Sequence, residues 1–350
     1  MDVKQDELAR RAVLSVSIGG HDATSFLDPY LTSFVYTDQA EGKSDELQLE
    51  LHDRDGRWRG GRLPSKGTKI TARIRCLNWW GAGQNLALNC GSFTCDEVSC
   101  SGPPDTVKIK AVSASLSGPL RETVRTQGWE AFTLRGVAED IAARNGLSLH
   151  YDADACSFER QDQRNESDLG FLQRLAEDRG VFVKVREDRL ILYSAEKADA
   201  RGAALGFQRS GDGYGVVSEY DFKEKSEGTA FRACVVEYHD PATRELRTYT
   251  YNPSGAALTE ETTAKALDLD SRVESEAAAL ALAKNRLRSA NQGECTGGFT
   301  VMGHPGLVAG LTVGMSGFGK FDGKYFVTKA VHSLGGKYTT KAEIRRTLGY

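Results

Sequence analysis

The chain has 350 residues, of which 40% are hydrophobic and 27% charged, with a formal net charge of −3. This composition is that of an ordinary globular protein with room for two or three domains, and it excludes a largely disordered chain. The charge gives no electrostatic reason to expect binding to nucleic acid or to an anionic membrane. No apolar run reaches the roughly 20 residues of a membrane span, and the polar N-terminus lacks an apolar signal core, so synthesis in the cytoplasm is expected.

The chain contains seven cysteines, an odd number that does not by itself indicate a disulfide framework. They are Cys76, Cys90, Cys95, Cys100, Cys156, Cys234 and Cys295. Three of them are spaced by five residues, unlike the C-x-x-C pairs of zinc sites, and no histidine lies close in sequence. We therefore interpret them as reduced residues packed as small hydrophobes, with a redox pair or a metal site assembled by the fold as the alternative.

Residues 1–113 have the pattern of an all-β domain. Apolar and polar residues alternate, most clearly from Leu47 to Leu51 and from Ile70 to Ile74, as in strands with one buried face. Turn signals at Gly19–Gly20, Lys66–Gly67 and Gly102–Pro103–Pro104 separate short strands, which indicates a barrel or a sandwich. The predicted strands are Val13 to Ile18, Leu31 to Tyr36, Leu47 to Leu51, Ile70 to Ile74, Leu86 to Leu88, Phe93 to Val98 and Val107 to Ala111.

Residues 114–200 are predicted to form a separate, small α+β domain. Its first helix begins after Thr133, which can cap it, and ends at Asn145–Gly146. A strand follows from Leu147 to Tyr151, and the small-residue stretch from Ala195 to Gly202 is predicted to be a link out of the domain. The apolar face of the helix consists of Leu134, Val137, Ala138, Ile141 and Ala142.

The most strongly patterned stretch, Arg164 to Tyr193, predicts a helix that runs into a hairpin. Asn165 or Ser167 can cap the helix, and Gly180 stands where a left-handed residue usually ends one. The helix face consists of Phe171, Leu172, Leu175 and Ala176, and the hairpin of strands Val181 to Val185 and Leu190 to Tyr193 about Glu187–Asp188. Nothing in this stretch indicates catalysis.

Residues 201–350 return to a β pattern that one helix interrupts. Ser271 and Glu274 form a capping box ahead of the alanine-rich run from Ala277 to Leu287, which has high helix propensity and ends at Asn291–Gln292–Gly293. The predicted strands are Val216 to Phe222, Ala230 to His239, Leu246 to Tyr251, Phe299 to Met302, Leu311 to Met315, Tyr325 to Val331 and Lys341 to Arg345.

Two short stretches of the first β region resemble two of the second. Lys66 to Ile70 resembles Ala309 to Val313, and Gly91 to Cys95 resembles Gly323 to Val327. A glycine before a strand is common in β proteins, so two related barrels are a hypothesis, which an unmatched strand order in the two regions would reject. The expected fold class is α+β, mainly β, with two barrel-like β domains separated by a small α+β domain.

Motifs that resemble binding sites have simpler explanations. Gly211 to Gly215 precedes a strand rather than a helix, which predicts a tight turn and not a phosphate-binding loop. Asp53-x-Asp55-Gly56 and Asp152-x-Asp154 begin like calcium loops but lack the later ligands, which predicts surface turns. The histidines are isolated and no nucleophile signature occurs, so we predict no catalytic, cofactor-binding or metal site.

Two further functions stay open at this point. A muramidase-like peptidoglycan hydrolase needs a glutamate of raised pKa and a second carboxylate in a cleft, and the 48 acidic residues allow such a pair without indicating one. A carbohydrate-binding module would use Trp79–Trp80, which stand beside two glycines as if on a loop. Packing in the core or as a loop anchor is the favoured interpretation, because large aromatic residues usually bury.

Arg164 to Gly180 resembles the R-x-E-S-D-x-x-F-L-x-R-L-x-E-x-x-G signature of phage late control gene D proteins, the tail hub proteins of contractile phages. That family is related to the N-terminal hub of type VI secretion spike proteins. The similarity covers nearly the whole chain, and Gly170, a weak helix residue, departs from the pattern. Outside the signature it rests on Phe93-x-x-Asp96–Glu97, Gly102–Pro103–Pro104, the alanine-rich helix, Gly303-x-Pro305-x-Leu307-x-x-Gly310, Asp322–Gly323-x-Tyr325, Val331–His332 and Gly336-x-Tyr338–Thr339–Thr340.

The resemblance implies a structural, non-enzymatic and cofactor-free protein of the virion, the homotrimeric baseplate hub of a contractile phage tail or a tailocin. Two barrel-like domains in each of three chains imply a pseudo-sixfold ring with a central channel, between the sixfold tail tube and a threefold spike. The implied partners are the tail tube protein, a spike protein expected to be a separate polypeptide, other baseplate proteins and the tape-measure protein. Neither sequence-specific nucleic-acid binding nor membrane insertion is expected.

Overall fold

The computed structural model describes residues 9–40, 44–113, 119–177, 179–186, 188–228, 230–239, 245–255, 266–270 and 276–350. The strands are β1 Arg11–Ile18, β2 His21–Asp22, β3 Leu31–Gln39, β4 Glu46–His52, β5 Lys69–Leu77, β6 Leu86–Ser101, β7 Thr106–Ser113, β8 Val124–Thr133, β9 Ser148–Asp152, β10 Ser157–Ser167, β11 Val181–Arg186, β12 Arg189–Ser194, β13 Leu205–Gln208, β14 Val217–Glu224, β15 Ala233–His239, β16 Leu246–Tyr251, β17 Ala266–Asp270, β18 Cys295–Met302, β19 Thr312–Ser316, β20 Gly323–Gly335 and β21 Lys337–Arg346. The helices are α1 Thr24–Leu27, α2 Pro119–Glu122, α3 Leu134–Arg144, α4 Asp168–Glu177, α5 Ala195–Ala200 and α6 Glu276–Asn291.

One large sheet runs through both β regions. Its strand order is β14–β18–β21–β20–β3–β4–β7–β6–β5–β1–β2, and β13 and β19 join it through β20. The pairing of β20 with β3 connects the second β region to the first. The chain is therefore mainly β with a smaller α+β part, as the sequence predicts. The hydrogen-bonded path of the described strands does not close into a barrel in either region.

Alternation along the strands explains the core of the first β region. Leu47, Leu49 and Leu51 of β4 are fully buried, whereas the polar residues between them are only partly so. They share one core with apolar residues from β1, β3 and β5 to β7. Burying a side chain of this size stabilises the fold by about 1.5–3 kcal/mol relative to leaving it exposed.

Residues 119–200 have a core of their own. The Thr133 hydroxyl caps α3 by accepting the N–H of Gly136 at 3.0 Å, and the five predicted apolar residues of that helix are buried. Helix α4 and the β11–β12 hairpin follow as predicted, although Glu187 of the predicted turn lies outside the described residues. Gly180 has a φ of +63°, the left-handed conformation expected after a helix.

Three features of this α+β part differ from the expectation. Strands β8 and β10 form an exposed antiparallel ribbon, which the sequence does not indicate because charged residues mask any apolar alternation. Asn165 lies at a bulge of β10 with a φ of +48°, so Ser167 and not Asn165 caps α4. The stretch predicted as a link is mostly helix α5, in which Ala195, Ala198 and Asp199 are buried.

The second β region contains a separate small sheet besides its share of the large one. Strands β16, β15 and β17 form this sheet, and α6 packs on it. Ala279, Ala283 and Leu287 supply the fully buried face of α6 at the spacing of one helical stripe. The predicted capping box at Ser271 and Glu274 lies outside the described residues.

Two sets of four strands in the large sheet have the same arrangement. We call β3, β4, β6 and β7 the first unit, and β14, β18, β20 and β21 the second unit. In both units the first strand along the chain pairs with the second, the second with the fourth, and the fourth with the third. The order of these four strands thus matches between the two β regions, as the hypothesis of related regions requires.

The correspondence extends to individual hydrogen bonds. Gly67 donates its N–H to the carbonyl of Cys95 at 2.9 Å, and Gly310 donates to the carbonyl of Val327 at 2.9 Å. The two glycines have φ values of +86° and +90°, which L side chains rarely adopt. The stretches that resemble each other in the sequence therefore occupy equivalent positions in the two units.

Bulges fix the correspondence residue by residue. The first strand of each unit has a bulge near its start, at Leu31–Ser33 in β3 and at Val217–Glu219 in β14. The third strand has a bulge directly after Cys95 in β6 and directly after Val327 in β20. Because a bulge shifts the register by one residue, coincident bulges show which residues of the two units are equivalent.

Candidate functional site

The signature stretch is organised around one buried carboxylate, Asp168, at the start of α4. Its oxygens accept hydrogen bonds from Arg144 at 3.2 and 3.3 Å and from Gln163 at 3.0 Å. Arg125 forms a further ion pair with it at 3.4 Å. Asp168 therefore joins the end of α3 and both strands of the β8–β10 ribbon to the N-terminus of α4, where negative charge is also favoured by the helix dipole.

The other polar residues of the signature stabilise the same helix start. The Ser167 hydroxyl accepts the N–H of Gly170 at 3.1 Å, and Glu166 forms an ion pair with Arg174 at 3.0 Å. A Cβ at Gly170 would lie 3.2 Å from the Ser167 hydroxyl oxygen, which explains why a weak helix former is tolerated here. The signature is thus a structural motif, in which Glu166 pairs with Arg174 while Asp168 pairs with arginines outside it.

A second buried polar cluster connects all three parts of the chain. Lys184 of β11 reaches into the first β region, where its ammonium lies 2.5 Å from Asp38 and donates to the carbonyl of Gln39 at 2.6 Å. The other oxygen of Asp38 accepts the N–H of Ala309 from the second β region at 2.9 Å. Asp45 lies 3.9 Å from the same ammonium, and burial raises its pKa to about 6.

His332 of β20 lies beside this cluster and is fully buried. Its ring stacks on Tyr36 of β3 with centroids 5.8 Å apart, and its Nδ1 lies 2.8 Å from the Tyr338 hydroxyl and 3.2 Å from the Thr340 hydroxyl. Burial lowers the pKa of His332 to about 4, so the ring is neutral near pH 7. The junction of the two β regions is therefore sealed by a neutral aromatic stack.

A third cluster ties helices α5 and α6 to β21. Asp199 accepts hydrogen bonds from Arg288 at 2.6 Å and from Arg345 at 2.9 Å, and all three side chains are buried. Burial lowers the pKa of Arg288, although the carboxylate opposes this shift. Removing the carboxylate would leave two buried guanidinium groups without a counter-charge.

The two tryptophans anchor a loop of the first β region on the second. Trp79 is buried and donates its indole N–H to the carbonyl of Gly303 at 2.6 Å. Trp80 is half-buried, with its ring 4.2 Å from that of Tyr214 and 5.3 Å from that of His304. The packing interpretation is therefore confirmed for Trp79, and Trp80 already has aromatic neighbours where a sugar would have to stack.

The loops that resemble ion sites serve the fold. Asp53 is buried and accepts the N–H of Trp58 at 2.9 Å, whereas Arg54 and Asp55 are exposed in the turn that follows it, as the prediction of a surface turn requires. Asp152 and Asp154 are paired with Arg201 and Lys197 at 2.7 and 3.0 Å. Over the part of the chain that the structure describes, no group of three or more histidine, cysteine or acidic side chains is placed to hold a metal ion.

Each carboxylate buried in the described ranges faces a lysine or an arginine. These are Asp38, Asp45, Asp53, Asp168 and Asp199. These carboxylates contact other side chains and backbone groups inside the protein. The catalytic acid of a glycosidase would instead have to face a substrate cleft. The sequence does not reveal these clusters because their members lie far apart in the chain. A weak sequence signal for such a cluster is a charged residue within an apolar strand, such as Lys184 between Val183 and Val185.

Within the described ranges, none of the helices has the length and hydrophobicity needed to cross a membrane.

Comparison with known proteins identifies the family. Probable baseplate hub proteins of Escherichia phages 186 and P2 are 33% and 36% identical to the chain over 186 and 181 residues. These alignments cover 52% and 51% of the chain and 45% and 44% of the relatives, so the chain matches somewhat less than half of the length of either relative.

Solved structures share the fold at low sequence identity. A tail protein from Neisseria meningitidis MC58 superposes with a TM-score of 0.70 at 14% identity, over 95% of this chain and 96% of that one. A 43 kDa tail protein of prophage MuSo2 from Shewanella oneidensis gives 0.70 at 14% identity, over 96% and 99%. A type VI secretion system component from E. coli gives 0.54 at 11% identity, over 90% and 73%.

The family model described as phage tail baseplate hub (GPD) matches residues 105–337, which is more than half of the chain and includes the Asp168 cluster, α6 and the strands β14, β18 and β20 of the second unit. The chain belongs to the phage tail baseplate hub family.

Proposed function

We propose that this chain is the structural hub of a contractile-tail baseplate, in a phage or a tailocin. In this proposal three copies form a ring with a central channel. The ring joins the sixfold tail tube on one side to a threefold spike on the other. The protein acts by matching two symmetries, and it carries out no chemical reaction.

The observation that carries this proposal is the repeat within one chain. The first and second units have the same strand order and coincident bulges. Three chains with two such units each supply six similar surfaces, as a sixfold tube requires, while every other part of the chain occurs three times, as a spike requires. Family membership makes the baseplate the place for such an adaptor.

The proposed domain organisation follows from the same repeat. Residues 1–113 and 201–350 are two barrel-like hub domains built on the first and second units. Residues 114–200 are an α+β domain, which has its own core and sits beside the ring. We propose the tube protein, a spike protein, other baseplate proteins and the tape-measure protein as its partners. A neutral to acidic channel lining would let DNA or a tape-measure protein pass without strong binding.

Light scattering coupled to size-exclusion chromatography tests the assembly. The expected mass is three times the 38.2 kDa of the chain, alone or on addition of the tail tube protein. A chain that stays monomeric with and without the tube protein contradicts the proposal. A zymogram on cell-wall substrate tests the absence of enzyme activity, and a clear band from the purified chain would support the hydrolase alternative instead.

A further inference from the structure

Among the strands of the first and second units, two edges are left open in the described part of the chain. One is the outer edge of β14, which pairs only with β18 over its length. The other is the outer edge of β6 beyond Cys95, because β5 pairs with β6 only up to Thr94 and β7 occupies the other side. Open edges present unpaired N–H and C=O groups and are natural sites for another strand.

The chain itself shows what covers such an edge. In the second unit, the third strand β20 is the counterpart of β6, and its half beyond Val327 pairs antiparallel with β3, the first strand of the first unit. In this register Val331 lies opposite Thr37, His332 opposite Tyr36, and Ser333 opposite Val35. The rule within one chain is therefore that the third strand of a unit pairs with the first strand of the other unit.

The open edges are the two ends at which this rule is not yet satisfied. The outer half of β6 is the end of a third strand without a first strand beside it. Strand β14 is a first strand without a third strand beside it. Seven steps along the sheet, with six strands between them, separate the two edges, and β14 and β6 do not pair with each other in the described part of the chain.

Exposure agrees with a missing partner at both edges. Phe34 in β3 is fully buried beside the β20 junction, whereas its equivalent in β14, Tyr220, is 47% exposed. In the outer half of β6, residues 96–101 are exposed except for the half-buried Val98, whereas residues 329–334 of β20 are all buried or half-buried. Tyr220 lies against Phe222 and Phe318, with ring centroids 6.0 and 4.9 Å away, so the open edge of β14 carries an aromatic group that a partner could cover.

We propose that the outer half of β6 in one copy pairs antiparallel with β14 of the next copy, as β20 pairs with β3 within the chain. This inference rests on the proposed trimeric hub and adds the surface through which it assembles. The coincident bulges show which residues of β6 and β14 correspond to those of β20 and β3. If β6 and β14 pair in the same register as β20 and β3, Ser99 lies opposite Lys223, Cys100 opposite Phe222, and Ser101 opposite Asp221. The exposed thiol of Cys100 then meets the half-buried Phe222 ring, where the internal junction has His332 on Tyr36.

This contact is head-to-tail, because it joins two different edges of the same chain. Head-to-tail contacts either close into rings or grow into filaments. With three copies, six equivalent units would follow one another around the ring, alternating between the internal β20–β3 junction and the β6–β14 junction. No strand edge of the two units would then remain open to pair with other chains.

Engineered disulfides test the pairing in the full-length chain. In a Cys100→Ser background, Ser99→Cys combined with Lys223→Cys places two thiols opposite each other in the proposed register. The matched control combines Ser99→Cys with Glu219→Cys, an exposed position on the same strand four residues away. After mild oxidation, we expect covalent dimers and trimers on a non-reducing gel, at least tenfold more abundant for the in-register pair than for the control.

The outcomes separate this inference from the proposed function. A trimer by light scattering without preferential cross-linking of the in-register pair overturns the pairing and leaves the hub proposal standing. A monomer with and without the tube protein contradicts both. Covalent dimers from Lys223→Cys alone would show β14 paired with itself, and a ladder that continues beyond the trimer would show an open filament; either result overturns the ring.

Discussion

The first and second units use the same four-strand arrangement in two different environments. In the first unit, β3 is covered by β20, so Phe34, Tyr36 and Asp38 are all fully buried. In the second unit, β14 is an edge strand, and Tyr220 and Glu224 at equivalent positions are exposed. The comparison teaches that the position of a unit in the sheet, rather than its topology, decides which residues of its first strand stabilise the monomer.

The same contrast extends to charge. Asp38 binds a buried lysine and a backbone N–H, whereas Glu224 forms an exposed ion pair with Lys320 at 2.6 Å. A buried pair is costly to break because the remaining charge stays in a low-dielectric site, whereas an exposed pair is screened by water and salt. Equivalent carboxylates of the two units should therefore differ strongly in their effect on stability.

Phe34→Ala against Tyr220→Ala is the comparison with the largest expected difference. Removing the fully buried Phe34 ring should lower the free energy of unfolding by about 3–5 kcal/mol. Removing the exposed Tyr220 ring should lower it by less than about 1 kcal/mol while weakening trimer formation. Urea unfolding measures the first quantity and light scattering the second. Equal losses of stability would contradict the assignment of β14 as an open edge in the monomer.

Asp38→Ala should lower the free energy of unfolding by about 3 kcal/mol, because Lys184 and the Ala309 N–H lose their partner. The value lies at the low end for a buried pair since Asp45, 3.9 Å from the ammonium, remains. Glu224→Ala is the matched control in the second unit, and its unfolding curve should nearly coincide with that of the unchanged chain. The contrast fails if the two variants unfold at the same urea concentration.

His332 makes the covered junction sensitive to acid. Its folded pKa of about 4 lies below the roughly 6.5 of an unfolded histidine, so the unfolded chain takes up the proton first as the pH falls. The stability that the neutral ring contributes is therefore fully present above pH 6.5 and is lost as the pH falls toward 4. Between pH 7 and pH 5 the free energy of unfolding should fall by about 2 kcal/mol for this reason.

Urea unfolding of the unchanged chain and of His332→Gln at pH 7 and pH 5 isolates this contribution. Asp45 has a raised pKa of about 6 and works in the opposite direction, because the folded chain takes up its proton first in this window. The difference between the two proteins cancels the Asp45 effect. We expect that difference to shrink as the pH falls, and an unchanged difference would rule out the histidine as the cause.

Much of the fold is predictable because it follows from local pattern. The stripe of Phe171, Leu172 and Leu175 specifies α4, and the alternation in β4 specifies a strand. The exposed ribbon β8–β10 has no such pattern, and α5 contains too few large apolar residues for the sequence to predict a buried helix. Both are fixed by contacts with residues far away in sequence.

The site is less predictable than the fold for the same reason. The signature residues Ser167 and Asp168 are readable as a helix start, but the partners of Asp168 lie on three different elements. The glycines at 67 and 310 hint at the repeat, yet only strand order and coincident bulges make the two units comparable. Which edges remain open depends on the whole sheet and has no local signal.

An electron cryomicroscopy map of the chain in its assembled form, alone or with the tail tube protein, resolved well enough to separate strands, tests the central claim most directly. The account predicts a threefold ring with a central hole, in which six four-stranded units follow one another and β6 of each copy borders β14 of the next. A ring in which β14 stays exposed, or particles without threefold symmetry or a central hole, would contradict it.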